Sequence, residues 1–138
     1  MTVTRDQLRV VPLFSGLNDS DLDRILTIGR EVRHEAGKPV VEEQSGGVGF
    51  HLILHGEASV SAGDREVATA GPGDYFGEMS IVDGKPRSAS VTATSDVTTL
   101  SITAWDFNAL LDEHPALWRP LVLELCMRVR RLTEALTS

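Results

Sequence analysis

Residues 76–91 read FGEMSIVDGKPRSASV, and this stretch decides how the chain is read. It sets Glu78 and Arg87 nine positions apart, among glycines, a turn and small residues. Arg87 falls in phase with Ala89, Val91 and Ala93, the less polar side of an alternation completed by Ser88, Ser90 and Thr92. A period of two specifies a strand with one face buried. That register, carried back to Arg87, points its guanidinium into the interior. A guanidinium taken out of water needs a charged or multiply accepting partner, since losing hydration without one costs several kcal/mol. Two partners meet that demand: an ion pair with Glu78, which needs no ligand, or an anion from outside.

The surroundings favour the anion. Gly73 and Gly77 leave the backbone open to close approach. GEMSI predicts a short helix from Gly77, whose unpaired Met79 and Ser80 amides would favour an anion. An arginine fork matches a phosphate through two bonds. The Glu78 carboxylate cannot serve that phosphate; it suits hydroxyls, such as those of a ribose.

The same period runs from about Glu31 to Ile102. Phe50, Leu52 and Leu54 alternate with His51 and His55, and Ala58, Val60 and Ala62 with Ser59 and Ser61. Breakers recur between the runs: Ala-Gly-Lys-Pro, Ser-Gly-Gly, Ala-Gly-Asp, Gly-Pro-Gly-Asp and Asp-Gly-Lys-Pro. Short, regularly spaced strands of this kind predict a small antiparallel sandwich, roll or barrel.

Helical spacing flanks the strands. Leu8, Val11 and Leu13 predict a short first helix ending by Pro12. Asn18 caps a second, with an apolar stripe of Leu22, Ile25 and Leu26 and a stop at Gly29. Thr103 caps AWDFNALLDEH, which puts Phe107, Leu110 and Leu111 on one face. Pro115 suits the first turn of a further helix, and Pro120 then requires a kink or a fresh start. Val122, Leu125, Val129, Leu132 and Leu136 repeat at three and four residues, a seam two heptads long that could pack on the roll or pair with a second copy. With no internal repeat or linker, residues 1–138 read as one domain: helices (1–30), roll (31–102), helices (103–138).

Composition narrows the function classes. The 138 residues are 41% hydrophobic, enough for a core, and carry a net charge of −7, which argues against a nucleic-acid surface. RVRR, residues 128–131, is a local exception, read as cations complementing a helix end. Cys126 is the only cysteine, so no internal disulfide forms. No apolar run approaches the ~20 residues of a membrane helix, and the N-terminus lacks a leader pattern, so a soluble cytoplasmic protein is expected.

Catalysis is not expected, nor any cofactor or metal. His51, His55 and Glu57 share a strand face, but residues four apart on a strand are separated by ~13 Å, too far to share one metal at ~2 Å per bond. No G-x-S-x-G, C-x-x-C or P-loop occurs. GPGDYFG lies within the roll, not between a strand and a long helix, so it is no dinucleotide fingerprint.

Phe76, Gly77, Glu78, Pro86, Arg87, Ser88, Ala89 and Val91 closely resemble the phosphate-binding cassette of cyclic nucleotide-binding domains, the family of catabolite activators and kinase regulatory subunits. VPLFSGLNDSDL resembles that family's entry helix, EAGKPVVEEQSGGVGFHLILHGEASV its first roll strands and FNALLDEHPAL its closing helices. The resemblance implies a jelly-roll-like antiparallel β-roll with helices at both ends. It implies that Arg87 binds a cyclic phosphate with the Ser80 and Ala89 amides and the Ser88 hydroxyl. Glu78 would accept from the ribose 2′-OH, with the Gly77 backbone close to the sugar. Cyclic AMP is favoured over cyclic GMP on family frequency; Ser88 does not decide between them. The C-terminal helix would cover the base, with Thr133 and Leu136 as contacts.

The chain departs from the pattern at GGVG (46–49), which replaces an acidic step, and at Pro120. A domain of the same fold that has lost its ligand and serves as an interaction or dimerisation module is the alternative, but such domains usually lack the glutamate or arginine kept here. The expected output is a sensor acting on an effector protein in trans or in a longer parent, with phosphate capture repacking Phe107–Leu111 and moving the C-terminal seam.

Overall fold

The computed structural model describes residues 3–41, 49–85 and 89–137. Pro86, Arg87, Ser88 and most of GGVG lie outside the described residues.

Two four-stranded antiparallel sheets form a β-roll flanked by helices. The first orders β1 (Arg30–His34), β8 (Val97–Thr103), β3 (Gly49–His55) and β6 (Tyr75–Phe76). The second orders β2 (Pro39–Val41), β7 (Ser90–Ala93), β4 (Ala58–Ala62) and β5 (Arg65–Ala70).

The helices enter and leave on the outer face of the first sheet. The Thr4 side chain accepts from the Gln7 amide, and Gln7 returns the bond, starting α1 (Arg5–Arg9). Val11 falls beyond α1 and Leu13 sits in a 3₁₀ turn, Pro12–Phe14, so the first helix is shorter than its apolar spacing suggests. Asn18 and Asp21 form a second capping box at the start of α2 (Asp19–Ile28), which buries Leu22 and Ile25. These residues join Phe50, Leu52, Leu100 and Ile102 of the first sheet in one apolar cluster. A smaller cluster, Ile53, Ala58, Val91, Ala93 and Val97, fills the space between the sheets.

The two clusters correct the reading of β3. Simple alternation assumes one wet face, but the helices cover the outer face, so Phe50 and Leu52 are buried there and Ile53 is buried on the inner side. Its register against β8 shifts between Ile53 and His55, and Leu54 ends half-buried. Such a strand reads as a continuous apolar run.

Thr103 accepts from the Asp106 amide to cap α4 (Ala104–Glu113), whose Phe107, Leu110 and Leu111 are buried. The Phe107 ring stacks on Phe50 at 4.5 Å, and Phe50 meets Tyr75 at 5.3 Å. Pro115 opens a 3₁₀ turn, Pro115–Leu117, and α5 (Trp118–Thr137) follows. Pro120 is the third residue of α5, where its missing N–H costs nothing, so the fresh start is realised. RVRR lies well inside a helix that continues to Thr137, so it does not complement a helix end. Only Leu121 of α5 is fully buried, and Val122, Val129, Leu132 and Leu136 are all exposed. Leu125 of the seam is half-buried, so the seam is for the most part left uncovered by the roll. No described helix is long and apolar enough to cross a membrane.

Candidate functional site

The site grows from the end of β6. Gly77 adopts φ 97°, a left-handed conformation that side chains rarely adopt, and so turns the chain from β6 directly into α3 (Glu78–Asp83). Gly84, at φ 70°, ends that helix. This tight passage buries Glu78 to 1% exposure at the head of α3. The Met79 and Ser80 amides stand in its first turn, without partners four residues earlier inside the helix.

A cavity of about 390 Å³ opens beside them. Gly77, Glu78, Met79, Ser80 and Ala89 form one side. Strands β4 and β5 form a second, and α5 closes a third with Glu124, Arg128, Arg131 and Leu132. Five of the residues singled out in the sequence thus meet at one cavity, while Arg87 and Ser88 lie outside the described residues.

Among the described residues the partner of Glu78 is Arg128; the ion pair with Arg87 considered from sequence falls on a residue outside them. Arg128 Nη1 donates to Glu78 Oε1 at 2.5 Å, Nη2 to the Tyr75 carbonyl at 3.1 Å, and Nε to Glu124 Oε1 at 3.4 Å. Its guanidinium carbon also sits 5.6 Å from the centre of the Tyr75 ring. Burial alone would lower the pKa of Arg128, but the charge and hydrogen bond of Glu78, with Glu124 behind them, raise it above the ordinary value. Burial, and then the Glu78 carboxylate, push the Tyr75 phenol far above its usual range and keep it protonated. Glu78 Oε2 is buried and accepts no hydrogen bond among the described residues.

Sequence reasoning missed Arg128. One signal was present: Glu124, Arg128 and Arg131 are spaced four and three apart, one stripe of a helix. Thr133 turns its hydroxyl to the Val129 carbonyl, and Leu136 is 87% exposed; Arg131 and Leu132 reach the cavity in their place. His51 faces the roll interior, with Nδ1 2.7 Å from Ser101 Oγ and its ring stacked on Phe76, while His55 is exposed.

The family described as the cyclic nucleotide-binding domain matches residues 31–114. The cyclic AMP receptor protein of Thermus thermophilus is 32% identical over 124 residues, covering 86% of this chain and 57% of that protein. A cAMP-dependent protein kinase regulatory subunit of Aspergillus fumigatus is 36% identical over 106 residues, covering 75% of this chain and 26% of that protein. The chain therefore spans less than two thirds of these relatives. Among solved structures, the Thermus thermophilus catabolite activator protein superposes with a TM-score of 0.80 at 30% identity, over 91% of this chain and 62% of its own. The family match, the roll and the relatives agree: the chain belongs to the cyclic nucleotide-binding domain family.

Proposed function

We propose that the chain is a regulatory sensor of a 3′,5′-cyclic nucleotide, cyclic AMP before cyclic GMP, and that it acts by binding and not by catalysis. The observation that carries this reading is the buried Glu78 carboxylate, with one oxygen held by Arg128 and the other without a donor among the described residues. A ribose 2′-OH donates to Oε2 while Oε1 keeps Arg128, so the ligand adds to the ion pair without breaking it. The cyclic phosphate takes the Ser80 and Ala89 amides, the Arg87 fork and the Ser88 hydroxyl. The preference for cyclic AMP draws on relatives named for it, the Thermus receptor and the fungal kinase subunits.

Signal leaves through the helices. A ligand shifts a conformational equilibrium only by binding one arrangement better than another. Arg128 ties α5 to the same carboxylate that receives the sugar, and the ring contacts from Tyr75 through Phe50 to Phe107 join the cassette to α4. Occupancy of the pocket therefore favours the arrangement with α5 drawn onto α3. The exposed seam of α5 suits a second copy or an effector protein, in trans or in a longer parent, with the whole acting in the cytoplasm.

Calorimetric titration of the chain, freed of nucleotide by unfolding and refolding, tests the reading with cyclic AMP, cyclic GMP and 5′-AMP. Saturable binding of a cyclic nucleotide but not of 5′-AMP is expected. A second reading, a ligand-silent interaction module, draws on the cation that Glu78 already has in Arg128. Absence of heat with all three nucleotides would leave that reading in place.

A further inference from the structure

We propose that Arg131 reads the nucleobase and favours guanine, so that it raises the affinity for cyclic GMP relative to cyclic AMP. The inference rests on the nucleotide reading above. Helix α5 turns Glu124, Arg128, Arg131 and Leu132 toward the cavity. Arg128 is committed to Glu78, and Glu124 gives one oxygen to Arg128. Arg131 lines the same cavity and makes no hydrogen bond or ion pair among the described residues.

Across from it runs β5, with Val67, Ala68 and Thr69 on the wall. Val67 is 55% exposed and Leu132 62% exposed, so the mouth presents apolar surface from both sides to whatever enters. With the sugar at Glu78 and the phosphate at Ser80 and Ala89, the base extends into this gap. A flat ring between Val67 and Leu132 covers both and brings its edge to Arg131.

Chemistry then decides which ring. A guanidinium only donates. Guanine turns two acceptors, O6 and N7, along one edge, and an arginine fork matches that pair. Adenine offers N7 beside an amino group, itself a donor, so one arm of the fork meets a like group. Glu124 gives Oε1 to Arg128 at 3.4 Å, and any bond from its other oxygen to a base amino group would not involve Arg131, so the Arg131 contribution is read by replacing Arg131 alone.

Two effects of Arg131 are separable. Its charge attracts the phosphate of either nucleotide equally, so removing it weakens both alike. Only base reading changes their ratio. Calorimetric titration of the wild type and of Arg131→Met with cyclic GMP and cyclic AMP therefore reads the ratio directly. Methionine keeps the length and the apolar stem, and at an exposed position it leaves the thermal midpoint close to that of the wild type.

The expected result is a fall in cyclic GMP affinity of about tenfold or more, relative to any fall for cyclic AMP. Arg131→Lys, a single-point donor, should lie between the two. An equal loss for both nucleotides, or no loss, overturns the assignment while leaving the nucleotide site intact. Failure of the wild type to bind either nucleotide removes the site itself and this inference with it.

Discussion

Replacing Arg128 with methionine removes the cation from Glu78 while keeping an apolar stem against the Tyr75 ring. Breaking a fully buried ion pair by deleting one partner costs about 3–5 kcal/mol, because the other charge stays behind without compensation. Here the two partners differ: the Glu78 side chain is 1% exposed and that of Arg128 is 31% exposed. The carboxylate left behind bears nearly the full penalty, but the pair's own attraction is partly screened by water, which places the loss at or just below the lower end of that range, about 2–3 kcal/mol. For a domain of this size, that is a drop of roughly 6–10 °C in the thermal midpoint. Thermal and urea unfolding followed by circular dichroism would measure it. Combining Arg128→Met with Glu78→Gln should restore much of the loss, a coupling of about 1 kcal/mol or more in a double-mutant cycle. A loss below about 0.5 kcal/mol, or strictly additive single effects, would refute the reasoning and demote the pair to a surface contact.

Further outcomes bear on other parts of the account. Arg87→Ala should cost about 2–5 kcal/mol of cyclic nucleotide affinity, and Arg87→Lys should not restore it fully, because a point charge lacks the fork; unchanged calorimetric affinity would remove the phosphate role. Gly56 has φ 89°, and a Cβ there would lie 2.2 Å from the Asp96 carbonyl oxygen, which is backbone and cannot swing away. Gly56→Ala should therefore lose about 3 kcal/mol or more in urea unfolding, and a wild-type midpoint would contradict that geometry. Burial holds the His34 imidazole below its ordinary pKa, so the folded chain binds fewer protons than the unfolded one. This contribution to stability is whole above about pH 6.5 and is lost as the pH falls through the folded value. Urea midpoints should decline toward about pH 5, less steeply in His34→Gln; parallel curves in the two proteins would count against it.

Much of this architecture was legible because it is local. Asn18 and Thr103 cap the helices they announce, Gly77 opens the helix its motif suggests, and Ala58, Val91 and Ala93 keep the period that puts them inside the roll. What escaped was set by tertiary contact. An alternation of Phe50, Leu52 and Leu54 with His51 and His55 leaves Ile53 out of account, yet Leu52-Ile53-Leu54 is the apolar run expected of a strand covered on one side by helices and on the other by a second sheet. The partner of Glu78 escaped for a similar reason. Nothing in local spacing joins positions 78 and 128; a helix 20 residues long, folded back across the cassette, brings them together. Read with its neighbours in RVRR, Arg128 is a helix-end charge, although the helical stripe from Glu124 through Arg131 separates it from Arg130. The seam shows a limit of another kind, since heptad spacing identifies an apolar face but does not choose between intramolecular and intermolecular cover.

The central claim is that a cyclic nucleotide occupies the cavity between the cassette and α5. Backbone amide NMR spectra of the nucleotide-free chain, recorded during titration with cyclic AMP, test it most directly. Saturable shifts should gather at Gly77, Glu78, Ser80 and Ala89 and at Arg128 of α5, while Gly37, in a turn that does not line the cavity, stays in place. Spectra that do not change, or shifts confined to residues outside this cavity, would contradict the account.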